Sequence, residues 1–231
     1  PPMAWTVTAD ILQVDNPSLI NFACEQAGVD PDEVLLNHSA IPCETFSIAS
    51  KSGKGRQFKG SVHGCNHRKN DKHKSPCCPA AAGCKYGDMA RAHDRIAKRV
   101  KAGIEYDYEQ GASYDFGIEN PRGALEDRDY MQPNTWKTPL HYRYWHCCAY
   151  KPTIKAKKPM MLATSMDSYF PEGTTGNGLC NNGKCGNMVN GSHIGQLGRH
   201  PRRGPRGIGA TKLKNAYPEM WAEEYLRHAM D

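Results

Sequence analysis

Hydrophobic positions recur along this chain in two rhythms, one of strands and one of helices. "WTVTAD" (5–10) is a short β-branched run with an acid at its end, the pattern of a strand. "NPSLINFACEQAG" (16–28) predicts a helix, with Asn16 able to cap it, Pro17 suited to the first turn and Gly28 to the C-terminal stop. A strand is expected at "EVLLNHSA" (33–40), ending at Pro42-Cys43. From 88 to 106 the period lengthens: "DMARAHDRIAKRVKAGIEY" sets Met89, Ala92, Ile96, Val100 and Ile104 on one face, an amphipathic helix that must pack on something flat. "YDFGI" (114–118) reads as a strand running straight into "ENPRG", and "KKPMMLATSM" (157–166) as another. The stretch 172–198 is too rich in Gly and Asn for regular structure, and "PEMWAEEYLRHAM" (218–230) is a final helix opened by a proline. No internal repeat is visible.

Strand, helix, strand, helix, strand is the rhythm of a doubly wound α/β sheet. In such sheets ligands sit beyond the carboxyl ends of the strands, so Asp10, Cys43 and Glu119 are expected to converge on one rim. A cysteine at a strand-to-loop junction is placed to act as a thiolate nucleophile, although a small buried apolar role is the commoner one for cysteine.

At 231 residues and 39% hydrophobic content the chain holds one moderate domain with a core, and no apolar run approaches a membrane span, so a soluble protein is expected. The net charge of +6 is uneven. Residues 51–74 carry eight Lys or Arg, including Lys51, Lys54 and Arg56, against one Asp, and "GRHPRRGPRG" (198–207) carries Arg199, Arg202, Arg203 and Arg206 with no acid. Such clusters suit an anionic partner, nucleic acid first, or a solvated surface. Ten cysteines without a visible signal peptide point to a reducing compartment. Two groups of them have metal-ligand chemistry: Cys65, His67, Cys77 and Cys84 in a loop spanning 60–87, and Cys180, Cys185 with His193. Free thiols in a loop are the alternative for the first group, a short disordered segment for the second.

Several stretches, in order, resemble the cytosine-5 DNA methyltransferase superfamily, most of all its divergent viral and protist members. "ADILQVD" (9–15) is similar to the block whose acid contacts S-adenosylmethionine; "IPCETFSIASKSGKG" (41–55) to the Pro-Cys block with its closing loop; "GIENPRG" (117–123) to the Glu-Asn block. "CAYKPTIKAKKPMMLATS" (148–165) resembles the Arg-x-Arg block, with Lys155 and Lys157 in place of the arginines, and 206–229 is similar to the closing helix. The resemblance implies a Rossmann-like methyltransferase sheet over 1–166, an irregular target-recognition region over 167–210, and a helix at 211–231 returning to the catalytic part.

It also implies roles. Cys43 adds to C6 of cytosine, Glu119 stabilises the adduct at N3 and the exocyclic amine, Asn120 orients the loop, Pro42 fixes the backbone and Lys157 contacts phosphate or base; Asp10, Ile11 and Pro42 line the cofactor site. S-adenosylmethionine is the implied cofactor and DNA the implied partner ahead of RNA; structural zinc is expected from the Cys/His spacing alone. No membrane partner is expected. The location is intracellular: nuclear in a eukaryote, otherwise cytoplasmic. The family's glycine-rich cofactor block is absent from this chain, which begins Pro-Pro, so an upstream segment or a partner chain is expected to complete the site. Glu44 stands where the family has Gln and disfavours thiolate formation. The rival reading is a nucleic-acid-binding protein that no longer transfers methyl groups.

Overall fold

The computed structural model describes residues 7–43, 45–46, 85–150, 158–181, 185, 188–189, 192–193 and 218–230, with backbone alone at 85–90, 188–189 and 192. Helix α1 (Leu19–Ala27) starts later than its sequence suggests, because Ser18, not Asn16, is the cap: its hydroxyl accepts the Asn21 N–H at 2.9 Å, while Asn16 Oδ1 accepts from Ser18 N at 3.0 Å. Gly28 ends the helix at φ 68°, the left-handed conformation that glycine adopts without a Cβ penalty. A 3₁₀ turn at Pro31–Glu33, capped by Asp30, delays strand β1 to Leu36–Ala40.

Helix α2 (Lys85–Glu109) is longer than the apolar stripe that foretells it, and Ala97, Val100 and Ile104 are its buried face. Strands β2 (Asp115–Pro121), β3 (His141–His146) and β4 (Pro159–Thr164) complete a four-stranded sheet in the order β1-β2-β4-β3. β1 and β2 are parallel, joined through α2, and β4 runs antiparallel to both of its neighbours. β3 therefore points the same way as β1 and β2. It has no apolar alternation to betray it: in "HYRYWH" only Trp145 is buried.

The sheet is covered on both faces. Phe116 and Ile118 of β2 and Met161 and Ala163 of β4 pack with α2, with Leu19 and Ile20 of α1 against them, while Met160 and Leu162 pack with Trp221 and Tyr225 of helix α3 (Glu219–Met230). Because successive strand residues face opposite ways, each strand serves two cores. Tyr225 lies across Gly117, where any Cβ would collide with its hydroxyl. The chain is thus an α/β protein built on a mixed sheet.

Two expectations change. Residues 7–10 are not strand: Asp10 opens a turn, its Oδ1 accepting from Leu12 N at 3.0 Å and its carbonyl from Gln13 N at 2.8 Å. Instead of wholly irregular chain, 172–198 contains a 3₁₀ turn at Gly173–Thr175 and a small antiparallel pair, β5 (Met188–Val189) with β6 (Ser192–His193). Among the described residues no helix is long and apolar enough to cross a membrane.

Candidate functional site

The parallel register pairs Ala40 with Glu119, so Ile41-Pro42-Cys43 leaves β1 beside Asn120-Pro121, the last two residues of β2, at the carboxyl rim of the sheet. Asn120 ties the two strand ends together, its Nδ2 donating to the Ile41 carbonyl at 2.8 Å in a fully buried contact. Cys43 itself is half-buried and takes part in no disulfide. It begins a turn closed by Phe46 N donating to its carbonyl at 3.1 Å. Thr45 and Phe46, both buried, hold that turn down: Thr45 Oγ1 shares a hydrogen bond with His93 Nδ1 of α2 at 3.0 Å, and the Phe46 carbonyl accepts from Ala124 N at 2.7 Å. The nucleophile candidate is thereby fixed to α2 on one side and to the chain beyond β2 on the other.

Glu119, only 3% exposed, faces the opposite side of β2 from Asn120, as strand alternation requires. Cys147, at the end of β3, reports its field: burial pushes the thiol up to about 12, with Lys158 pulling down and Glu119 pushing up. Lys158 and Glu119 therefore stand in one electrostatic neighbourhood on the rim. The backbone agrees, since Arg122 N donates to the Pro159 carbonyl and Cys147 N to that of Lys158, at 3.0 and 3.1 Å. A carboxylate, a cation and a thiol on one sheet rim can bind and polarise a polar, planar ligand. A cavity of about 220 Å³ opens at the other end of the sheet, lined by Asp32, Asp107, Gln110 and Tyr114, away from this rim.

Of the residues singled out from sequence, Pro42, Cys43, Glu119 and Asn120 are brought together. Asp10 is exposed and engaged in its own turn, and Ile11 packs against the α2-side core. No strand among the described residues pairs with the outer edge of β1. The described residues thus build no cradle for S-adenosylmethionine. Glu44, Lys51, Lys54, Arg56, Cys65, His67, Cys77, Cys84, Lys155, Lys157, Arg199, Arg202, Arg203 and Arg206 lie outside the described residues. Thr45, His93 and Lys158 were not foreseen; the Pro-Cys-x-Thr-Phe spelling was the available signal for the first.

A second cluster shares the rim. Cys148, Cys180, Cys185 and His193 bring their ligand atoms within 4.8 Å of one another, an arrangement that could hold a metal ion. Three of the four were candidates from sequence; Cys148, far upstream in the chain, joins them only through the fold. Burial and the neighbouring Cys180 and Cys185 thiols push the Cys148 thiol far above its usual range.

No protein-family model matches the chain, and neither a curated protein nor a solved structure is significantly similar to it.

Proposed function

We propose that this chain carries the nucleophile and carboxylate of a cytosine-5 methyltransferase acting on DNA. The supporting observation is that Pro42-Cys43 follows the end of β1 while Glu119-Asn120 lies at the carboxyl end of the adjacent parallel β2, the two joined by the Asn120–Ile41 hydrogen bond. Cytosine C5 is a weak nucleophile. The Cys43 thiolate adds to C6, the C5–C6 electron pair moves toward C5, and Glu119 hydrogen-bonds the ring at N3 and the exocyclic amine as charge accumulates there. C5 then takes an electrophile; removal of the C5 proton re-forms the double bond and expels the thiolate. The methyl donor that the resemblance implies is S-adenosylmethionine, which the described residues of this chain do not by themselves hold. Addition and reversal need only Cys43, Glu119 and a proton donor. The target base must leave its stack to reach a rim of this kind.

Those steps are testable without the methyl donor, because C5 of the Cys43 adduct can take a proton from solvent and then lose its original hydrogen to a base before the thiolate is expelled, which exchanges the C5 hydrogen of cytosine with solvent. Tritium release from C5-labelled cytosine in DNA should be catalysed by the full chain, vanish in Cys43→Ala and fall roughly 10²–10⁴-fold in Glu119→Gln. Equal release by Cys43→Ala would overturn the reading. A second reading, nucleic-acid binding without transfer, takes its support from the outer edge of β1, which no strand among the described residues pairs. It predicts DNA retention with no exchange.

A further inference from the structure

We propose that Cys148, Cys180, Cys185 and His193 form a closed, structural zinc site that fastens the glycine-rich segment from Cys180 to His193 onto the end of β3. The ligand atoms are already assembled, all within 4.8 Å of one another, with Cys180 Sγ and His193 Nε2 at 3.2 Å. A zinc tetrahedron with Zn–S of about 2.3 Å and Zn–N of about 2.0 Å sets neighbouring ligand atoms about 3.5–3.8 Å apart, so modest contraction around an ion completes it.

The donor set selects the metal. Three thiols and one imidazole, with no carboxylate among them, exclude calcium and magnesium, which take oxygen, and favour zinc at a single tetrahedral centre. Four protein ligands leave no position for water, which makes the site structural and not hydrolytic. A disulfide is the competing use of three neighbouring sulfurs, but no disulfide joins Cys148, Cys180 and Cys185.

The backbone is arranged to deliver the ligands. Cys180 N donates to His146 Nδ1 at 2.8 Å, and His146 N donates to the Gly178 carbonyl at 2.9 Å, so the first loop ligand is pinned to the last residue of β3. Cys148 follows two residues after His146. The β5–β6 pair sets His193 opposite Met188, returning the imidazole to a point three residues beyond Cys185. The segment has little apolar matter of its own to hold this shape, and Leu179 at its start is 39% exposed. Short segments without a core are commonly held by metals or disulfides. β3 lies two strands beyond β2 and three beyond β1, so the site sits roughly 14 Å along the rim from the Cys43 strand at about 4.8 Å per strand. It therefore braces the flank of the rim and takes no part in chemistry at Cys43.

The test is metal content of the full chain, by elemental analysis and by competition with a chromophoric chelator. Cys180→Ser with Cys185→Ser should hold one equivalent of zinc fewer than the unaltered chain, whatever the cysteines at 65, 77 and 84 bind. Unchanged zinc in that variant would overturn the proposal. Should the double variant fail to fold, His193→Cys decides: loaded with cobalt, it should keep the metal and shift the visible bands toward those of a four-thiolate tetrahedron. Cobalt bands identical to those of the unaltered chain would overturn the site.

Discussion

The turn that carries Cys43 is held by Thr45 and Phe46, one through a hydrogen bond to His93 and the other by burial among α2 and β2 side chains. Thr45→Val keeps the shape and deletes the hydroxyl, so Cys43 loses its tether to α2 while the substrate-facing groups stay. Hydrogen exchange at cytosine C5 should then slow several-fold with DNA affinity unchanged; a parallel loss of binding would show that Thr45 acts on the fold as a whole. Gly117 is a second residue whose identity is set by a neighbour, since Tyr225 occupies the space of a side chain. Gly117→Ala should cost about 1–3 kcal/mol in urea unfolding, the usual penalty of overpacking. Neither residue advertises its role by hydrophobicity, yet both are fixed by single contacts.

Helix α2 is the element that organises this half of the molecule. Its apolar stripe seats it on β2 and β4, and its polar side reaches to two other segments. Arg99 donates to the Asn16 and Pro17 carbonyls ahead of α1, the Arg128 guanidinium lies 3.5 Å from Asp94, and Tyr130 donates to Asp94 at 2.5 Å. Asp94 and Arg128 are both buried, so Asp94→Asn leaves a buried cation facing a neutral amide. Breaking such a pair costs about 3–5 kcal/mol, and chemical denaturation should show a loss of that order, whereas paired replacement of both residues by apolar ones of similar volume should recover most of it. At α1 the effect is smaller: Ser18→Ala removes the cap and should lower stability by about 1 kcal/mol.

Across the whole molecule, tyrosines bridge the two cores to their surroundings and are kept protonated by burial. Burial pushes the hydroxyls of Tyr114, Tyr150, Tyr169 and Tyr225 upward, and Tyr144, which donates to Glu126 at 2.7 Å, is pushed up to about 12. These groups have higher pKa values folded than unfolded. Their stabilising contribution is therefore complete below about pH 10 and drains away as pH rises through the folded values. Alkaline titration followed by tyrosinate absorbance should show these tyrosines ionising together with unfolding, not as independent groups near pH 10. Zinc couples to pH in the opposite sense, since its ligands must be thiolates: uptake at neutral pH should release about three protons per ion, and affinity should fall as pH falls.

Much of the local structure was legible in the chain. The stop at Gly28, the buried stripe of α2, the strand ahead of Pro42-Cys43 and the proline-led α3 follow from rules that act within a few residues: φ freedom, helical period, strand length. That the carboxyl ends of β1 and β2 share a rim was legible too, because parallel neighbours must end on the same side of the sheet. Asp10 failed the same argument, since residues 7–10 form no strand and a rim position needs a paired one. Which strand neighbours which, how β4 comes to lie between β2 and β3, and the arrival of Cys148 beside Cys180, Cys185 and His193 were decided only by the tertiary structure. These depend on contacts between residues far apart in the chain, whose free energy comes from packing the two faces of one sheet, and no local window of sequence contains it.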